Sequence, residues 1–134
     1  MIDSKEESML FNLKKKTPKK ILVIDDDATT LEIIVQALSK AGYEVFLAQS
    51  GEKGLEIARN KSPDVMVIDV LMPGMDGFML LKELKKDSAT QKIPVLVLSA
   101  RQNVADTIRR LGAVTFINKP VEPKQLLNQI KKLF

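Results

Sequence analysis

Residues 65–77 read VMVIDVLMPGMDG, and this stretch decides the fold class. It opens with four apolar residues, Val65 to Ile68, that show no polar alternation before Asp69. An apolar run of this length, rich in β-branched residues, predicts a strand buried on both faces. The Met72-Pro73-Gly74 turn ends the strand and leads into a helix predicted from Gly77 to Lys86. A buried strand followed by a helix is the repeating unit of an α/β fold.

The same unit recurs on both sides of this stretch, so that short apolar runs alternate with amphipathic segments five times. The predicted strands are Ile21–Ile24, Glu44–Ala48, Val65–Ile68, Val95–Leu98 and Val114–Ile117. The first predicted helix has Leu31, Ile34, Val35 and Leu38 on its inner face and ends at Ala41-Gly42. The next three are Gly51–Asn60, Gly77–Lys86 and Asn103–Leu111. The last begins at Pro123 and has Leu126, Leu127, Ile130 and Leu133 on its inner face. Apolar strands separated by helices are parallel and covered on both faces. The pattern predicts a three-layer α/β/α sandwich, whose ligand site lies beyond the carboxyl ends of the strands.

The composition excludes several kinds of site. The chain has 134 residues, which suits one domain, and it contains no cysteine, histidine or tryptophan. Disulfides, a thiol nucleophile, a Ser-His-Asp triad and a phosphohistidine within the chain are thereby excluded. A zinc site is disfavoured because only carboxylate ligands would be available. The lack of cysteine is consistent with a cytoplasmic protein.

The net charge of +4 is concentrated near the N-terminus. Residues 1–20 hold six lysines and three acids, whereas residues 21–134 hold fifteen basic and fourteen acidic residues. We expect residues 1–19 to form a flexible basic tail ahead of one domain over residues 20–134. The Lys14-Lys15-Lys16 run is either a solvated charge run or a contact for nucleic acid or an acidic membrane surface. No apolar run approaches the ~20 residues of a membrane span, and the early acids argue against a signal peptide.

Polar residues follow four of the five predicted strands at the edge where the site is expected. They are Asp25-Asp26-Asp27, Asp69, Ser99 and Asn118-Lys119-Pro120. Taken singly, each has a structural explanation: Asp27 as a helix N-cap, Ser99 as a turn former and Lys119 as a surface residue. Together, neighbouring carboxylates repel one another unless a cation compensates them. A hard divalent cation, Mg²⁺ (or Mn²⁺), beside Lys119 would do so, and such a pocket suits phosphoryl transfer to a carboxylate.

Two kinds of aspartyl-phosphate protein share parts of this pattern. The segment from Asp25 to Thr29 resembles the nucleophile motif of haloacid-dehalogenase-type phosphohydrolases, which would make Asp25 the nucleophile. Ser99 and Lys119 would then correspond to that family's second and third motifs. The resemblance stops there, because only Glu122 follows where that family has a further strand and an acidic pair. The chain also leaves no room for a substrate-covering cap.

The second resemblance, to the response-regulator receiver domain, covers nearly everything from about Lys20 to Phe134. Four motifs carry it: Ile21–Asp27 as the first strand with its acidic pair, Val67–Gly77 as the phospho-acceptor segment, Ile93–Ala100 as the strand ending in Ser or Thr, and Gly112-Ala113 with Phe116–Pro120 as the last strand and its Lys-Pro. They occur in the family's order and at its spacing. The resemblance implies a flavodoxin-like five-stranded parallel sheet in the order 2-1-3-4-5.

The resemblance also implies which residues accept the phosphoryl group and hold the metal. Asp69 matches the phospho-acceptor. Asp26, Asp69 and the backbone carbonyl of Leu71 would bind Mg²⁺ (or Mn²⁺) directly, and Asp25 would act through a bound water. Use of a carbonyl explains why an apolar residue is acceptable at position 71.

Further residues would bind the phosphoryl group and relay its presence. Lys119 would pair with a phosphoryl oxygen, directed by a cis peptide before Pro120. Ser99 would move its hydroxyl onto the phosphoryl group, and Phe116 would rotate inward as the switch aromatic. The alternative for Phe116 is a static core aromatic. Leu71 and Arg101 match positions that flank the phosphoryl group in the family. Because neither side chain can orient an attacking water, we expect slow self-dephosphorylation. The alternative is that they have no such role and are a core-edge leucine and a solvated arginine.

The implied partners are a sensor histidine kinase or histidine phosphotransfer protein and an unknown downstream protein. The chain would catalyse only its own phosphorylation and dephosphorylation. No helix-turn-helix pattern is present, so no direct DNA binding is expected. A receiver that binds partners without phosphorylation is the rival hypothesis. In the tail, Met9, Leu10, Phe11 and Leu13 form either a short docking segment or the remnant of a linker.

Overall fold

The computed structural model describes residues 2–9, 17–101 and 103–134. In this part of the chain, a short helical segment over residues 4–9 precedes five strands that alternate with five helices. The strands are β1 (Lys20–Ile24), β2 (Glu44–Ala48), β3 (Val65–Asp69), β4 (Val95–Ser99) and β5 (Thr115–Asn118). The helices are α1 (Ala28–Lys40), α2 (Gly51–Lys61), α3 (Gly77–Lys86), α4 (Ala105–Arg110) and α5 (Pro123–Lys131). None of the described helices is long and apolar enough to cross a membrane.

All strand pairs are parallel, and the sheet order is β2-β1-β3-β4-β5. The three central strands are buried almost throughout, as their unbroken apolar sequences predict. One core cluster lies on each face of the sheet, and α2, α3 and α4 cover one face while α1 and α5 cover the other. The predicted three-layer sandwich and its strand order are confirmed.

Local signals place three helix starts at the carboxyl edge of the sheet. Asp27, Ser50 and Asp76 are N-caps whose side chains accept hydrogen bonds from backbone N–H groups of the first helical turn. Pro123 opens α5, where its missing N–H costs nothing. The acids that end the strands therefore lie beside the positive ends of helices.

Gly77 allows the close packing of α3 against the acceptor strand. Its N–H donates to Val70 O at 2.9 Å. A Cβ at this position would contact the carbonyl oxygen of Asp69 and lie 2.7 Å from Val70 Cα, which a side chain cannot tolerate. Glycine here fixes how near the helix lies to the end of β3.

The predicted elements differ from the structure mainly at their ends. β5 runs over Thr115–Asn118, one residue later than predicted, and the Val114 side chain is half exposed. Leu133 lies beyond the end of α5 and is only partly buried. Apolar character identifies an element but does not fix where backbone pairing begins or ends. Residues 10–16 lie outside the described residues, and they include Lys14-Lys15-Lys16 and all of the docking segment except Met9. The tail hypothesis stays a prediction.

Candidate functional site

The site is assembled at the carboxyl edge by four adjacent strands. Asp25 directly follows β1, Asp69 ends β3, Ser99 ends β4, and Lys119 directly follows β5. Because β3 lies between β1 and β4, Asp69 occupies the middle of the group. The four predicted positions, far apart in sequence, are thus brought to one edge.

Three carboxylates form a tight cluster. Asp25, Asp26 and Asp69 each contribute an oxygen atom, and these atoms lie within 4.8 Å of one another. Asp25 is fully buried and Asp69 is 3% exposed, whereas Asp26 is exposed. The cluster therefore has two buried acids and an open side at Asp26.

Lys119 provides the positive charge that this cluster requires. Its Nζ lies 2.8 Å from Asp25 Oδ2 and 3.3 Å from Asp69 Oδ2. Backbone N–H groups add weaker support: that of Asp27 donates to Asp25 Oδ1 at 3.0 Å, and that of Leu71 donates to Asp69 Oδ1 at 3.4 Å.

These surroundings shift the proton affinity of both partners. Burial, and then the neighbouring Asp25 charge, raise the pKa of Asp69 to about 6, although Lys119 opposes the rise. Burial by itself would lower the pKa of Lys119, but its ion pairs with Asp25 and Asp69 outweigh this and leave the pKa raised. Lys119 therefore stays charged, and its one charge does not offset the repulsion between the acids.

The donor set fits a hard divalent cation. Asp25 Oδ2 is buried and accepts no well-aligned hydrogen bond within the described part of the chain, although Lys119 Nζ is near. Carboxylate oxygens from three residues, with one side open for water, suit Mg²⁺ or Mn²⁺ better than a metal that prefers nitrogen or sulfur. A cation here would relieve the repulsion that Lys119 alone does not cancel.

Ser99 is engaged by its own turn. Its buried Oγ accepts a hydrogen bond from Arg101 N at 3.0 Å and lies 3.2 Å from Arg101 O, to which it donates. In this arrangement Ser99 is a turn former, as its structural explanation predicts. The Arg101 side chain is exposed.

The structure also places the other predicted residues. Leu71 is 50% exposed, next to the acceptor strand. Phe116 is half-buried and packs against the core cluster on the α4 side of the sheet. The Lys119–Pro120 peptide is cis, as predicted. Asp27 is the N-cap of α1: its Oδ1 accepts from Thr29 N at 3.2 Å, its Oδ2 accepts from Thr30 Oγ1 at 2.6 Å, and the latter bond chiefly lowers its pKa.

The sequence did not indicate a hollow beside Lys119. This hollow, of about 410 Å³, lies between α1 and the start of α5 and is lined by Asp27, Thr30, Ile33, Ala100, Lys119, Pro120 and Val121. Ile33 offered the only signal, because it is an apolar residue off the inner face of α1 and is 45% exposed. A single exposed apolar residue is common and does not by itself define a surface.

Comparison with known proteins shows the family. The model of the response regulator receiver domain matches residues 21–131. The chain belongs to this family, whose members are signalling modules of two-component systems. The phosphohydrolase hypothesis is therefore abandoned.

Individual proteins show the same relationship. Protein PilH of Pseudomonas aeruginosa is 35% identical over 113 residues, which cover 83% of this chain and 93% of PilH. Response regulator MprA of a Mycobacterium species is 38% identical over 118 residues; the chain spans 50% of that protein's length. The crystal structure of the chemotaxis protein CheY4 of Vibrio cholerae superimposes with a TM-score of 0.82 and 29% identity, covering 88% of this chain and all of CheY4.

Proposed function

We propose that this chain is a phospho-accepting receiver, in which Asp69 takes a phosphoryl group from the phosphohistidine of a sensor histidine kinase or histidine phosphotransfer protein. One observation carries the proposal: three carboxylates lie within 4.8 Å of one another with the Lys119 ammonium 2.8 and 3.3 Å from two of them. A structural cluster would not need this much uncompensated negative charge. The family membership supports the same function.

In the proposed transfer, a carboxylate oxygen of Asp69 forms a bond to phosphorus while the phosphorus–nitrogen bond of the donor breaks. The electron pair of that bond stays on the donor imidazole and becomes the lone pair of its nitrogen. Lys119, already 3.3 Å from Asp69 Oδ2, is placed to pair with a phosphoryl oxygen on Asp69. Loss of the phosphoryl group is the attack of water on phosphorus, which returns the free carboxylate and phosphate.

We assign the metal ligands to Asp26 and Asp69 directly, with the backbone carbonyl of Leu71, and to Asp25 through water. A bound Mg²⁺ or Mn²⁺ would supply positive charge for the equatorial phosphoryl oxygens. Asp26 is suited to begin this binding, because it is the exposed member of the cluster.

Ser99 and Phe116 form the proposed switch. Phosphorylation replaces the single carboxylate charge beside Ser99 with a phosphoryl group that carries about two negative charges. The Ser99 hydroxyl would then leave Arg101 and donate to a phosphoryl oxygen. Phe116 is opposite Val97 in the sheet register, on the strand next to β4, and is only half-buried, so it has room to pack further inward. The face of α4, β5 and α5 would then change for a downstream protein. Phenylalanine lacks a hydroxyl, so this switch works by packing alone.

The lifetime of the phosphoryl group is proposed to depend on Leu71 and Arg101. Neither side chain carries a carboxylate or amide that could orient water, and both are exposed. We expect self-dephosphorylation to be slow in the wild type and faster in Leu71→Asn. An unchanged decay rate in that variant would remove this role.

We also propose that the protein works in the cytoplasm, where a kinase would supply the phosphoryl group.

The test is phosphorylation by acetyl phosphate with Mg²⁺, followed by intact-mass measurement. We expect one hydroxylamine-sensitive phosphoryl group on the wild type and none on Asp69→Asn. Asp76→Asn is the matched control, because this N-cap seven residues away is also capped well by asparagine and should be labelled normally. Chelation of the metal should abolish labelling. A receiver that binds its partner without phosphorylation would remain unlabelled even with its kinase.

A further inference from the structure

The edge of the sheet opposite the acids carries lysines that the proposed function does not use. We call it the basal face and define it by Lys19, Lys20, Lys40, Lys61, Lys131, Lys132, Tyr43 and Phe134. The strands begin at this edge, and α1, α2 and α5 end there, at Lys40, Lys61 and Lys131. Although residues 21–134 are nearly neutral, the topology therefore separates charge, with acids at one edge and lysines at the other.

Contacts between elements join the part of this face around Lys19, Lys20 and Lys61. Lys20 Nζ donates to Lys61 O at 3.3 Å, which joins the start of β1 to the end of α2. Lys19 O accepts from Glu44 N at 2.9 Å, which places the residue after Tyr43 beside it. An open hollow of about 450 Å³ lies in this face, lined by Thr17, Pro18, Lys19, Lys20, Ser62 and Asp64.

Two of the lysine ammonium groups lie near aromatic rings. Lys19 Nζ is 5.5 Å from the centre of the Phe134 ring, and that ring lies 5.9 Å from the ring of Tyr43. Lys61 Nζ is 5.8 Å from the centre of the Phe46 ring. Phe134 is 49% exposed, so this residue is partly open to a ligand.

The acids of the face are few and partly engaged. Among the described residues, Asp64 lines the hollow, and its Oδ2 accepts from Lys20 N at 2.7 Å. Glu44 is exposed at the start of β2. Two carboxylates among six lysines leave the face positive.

Helix polarity explains only part of this pattern. Lys40, Lys61 and Lys131 stand in last turns, where a cation complements the carbonyl end of a helix. Lys19 precedes a strand, so the carbonyl end of its own element does not explain its position. Helix polarity also does not explain the exposure of Phe134. Lysines at an open hollow, with an aromatic ring beside one of them, are instead a pattern by which proteins hold single strands.

We propose that the basal face binds single-stranded nucleic acid, with the lysines contacting phosphates and Phe134 stacking on a base. This surface differs in kind from a helix-turn-helix, whose absence was the ground for expecting no direct DNA binding. It lies at the opposite edge from Asp69, so binding does not require the phosphorylation site.

The experiment uses the full chain and fluorescence anisotropy with a labelled oligouridylate of about 20 nucleotides. With four lysine–phosphate contacts, affinity should fall about 50-fold between 50 and 200 mM salt. Lys19→Gln/Lys61→Gln should weaken binding at least about tenfold, and Phe134→Ala at least about fivefold. The matched control is Lys53→Gln/Lys124→Gln, which removes the same charge at the first turns of α2 and α5 and should bind like the wild type.

Three results would overturn the proposal. One is equal loss of affinity in the basal and control variants, which would make net charge the cause. Another is binding that survives in Lys19→Gln/Lys61→Gln and depends only on Lys14-Lys15-Lys16. The third is capture by phosphatidylserine-containing vesicles with no binding of the oligonucleotide, which would assign the face to an anionic membrane. Circular dichroism confirms that each variant is folded.

Discussion

At the scale of single residues, the chemistry of the site depends on repulsion around Asp69. Its carboxylate is buried beside Asp25, and the resulting pKa of about 6 means that the ionised form is destabilised in the folded protein. The structure tolerates this cost at the position where the proposed function needs a reactive carboxylate. Perturbed acids of this kind are typical of functional sites.

Removal of the Asp69 charge should therefore stabilise the metal-free protein. We expect Asp69→Asn to raise the free energy of unfolding by about 1 kcal/mol at pH 7.5, less than the full pKa shift implies because the Lys119 ion pair is also lost. The folded pKa is raised, so the wild type gains stability as the pH falls from about 6 towards 3.8, and the difference should shrink. Urea unfolding with a chelator at two pH values measures this. A less stable Asp69→Asn at pH 7.5 would contradict it.

The role of Phe116 can be separated from that of Asp69. Because Phe116 packs on β5 away from the carboxylate cluster, Phe116→Ala should leave acetyl-phosphate labelling unchanged while partner binding falls at least tenfold. Pull-down with the downstream protein, with Phe116→Tyr as the conservative variant, checks this. Unchanged binding would make Phe116 a static core aromatic.

At the scale of elements, the β3–α3 connection carries the tightest constraint on the site. Gly77 brings α3 against the end of β3, and Asp76 Oδ1 caps the helix by accepting from Met79 N at 2.9 Å. A helix held this way fixes the backbone that leaves Asp69. The constraint comes from close approach, since Gly77 does not have a positive φ.

Gly77→Ala should destabilise the protein by about 1–3 kcal/mol, because the added methyl group must displace backbone that has no rotamer to change. We also expect slower labelling of Asp69. Gly42→Ala is the control, since it has open space but φ +95, and so reports the cost of positive φ alone. Thermal unfolding compares the two. A Gly77→Ala as stable as the wild type would show that α3 can shift freely.

At the scale of the whole molecule, metal binding should act as a ligand that stabilises the fold. Mg²⁺ at 100 times its dissociation constant would add about 2.7 kcal/mol if it binds only the folded state. Asp26→Asn should lose most of this gain, because it removes the exposed ligand of the cluster. Thermal unfolding over a Mg²⁺ titration measures the effect. Asp76→Asn is the control, and Mg²⁺ should stabilise it as much as it stabilises the wild type. If Mg²⁺ stabilised Asp26→Asn equally well, the metal would bind elsewhere.

Much of the fold was predictable because its signals are local. Each of these signals lies within a few neighbouring residues: the apolar runs of β1, β3 and β4, and the helix caps at Asp27 and Asp76. Element ends such as Val114 and Leu133 were less predictable, since apolar residues continue beyond the residues that form the regular strand or helix. The acceptor, acid and lysine positions were predicted by motif, and the structure places them together.

The sequence by itself determined the fold class, the strand order through family resemblance, and which polar residues lie at the carboxyl edge of the sheet. Only the tertiary structure decided that Lys119 pairs with both Asp25 and Asp69, that Ser99 is held by Arg101, and that lysines gather at the opposite edge. The physical reason is that local patterns specify backbone conformation over a few residues. Distances between side chains on different strands, and the fields they create, exist only once the sheet has been assembled.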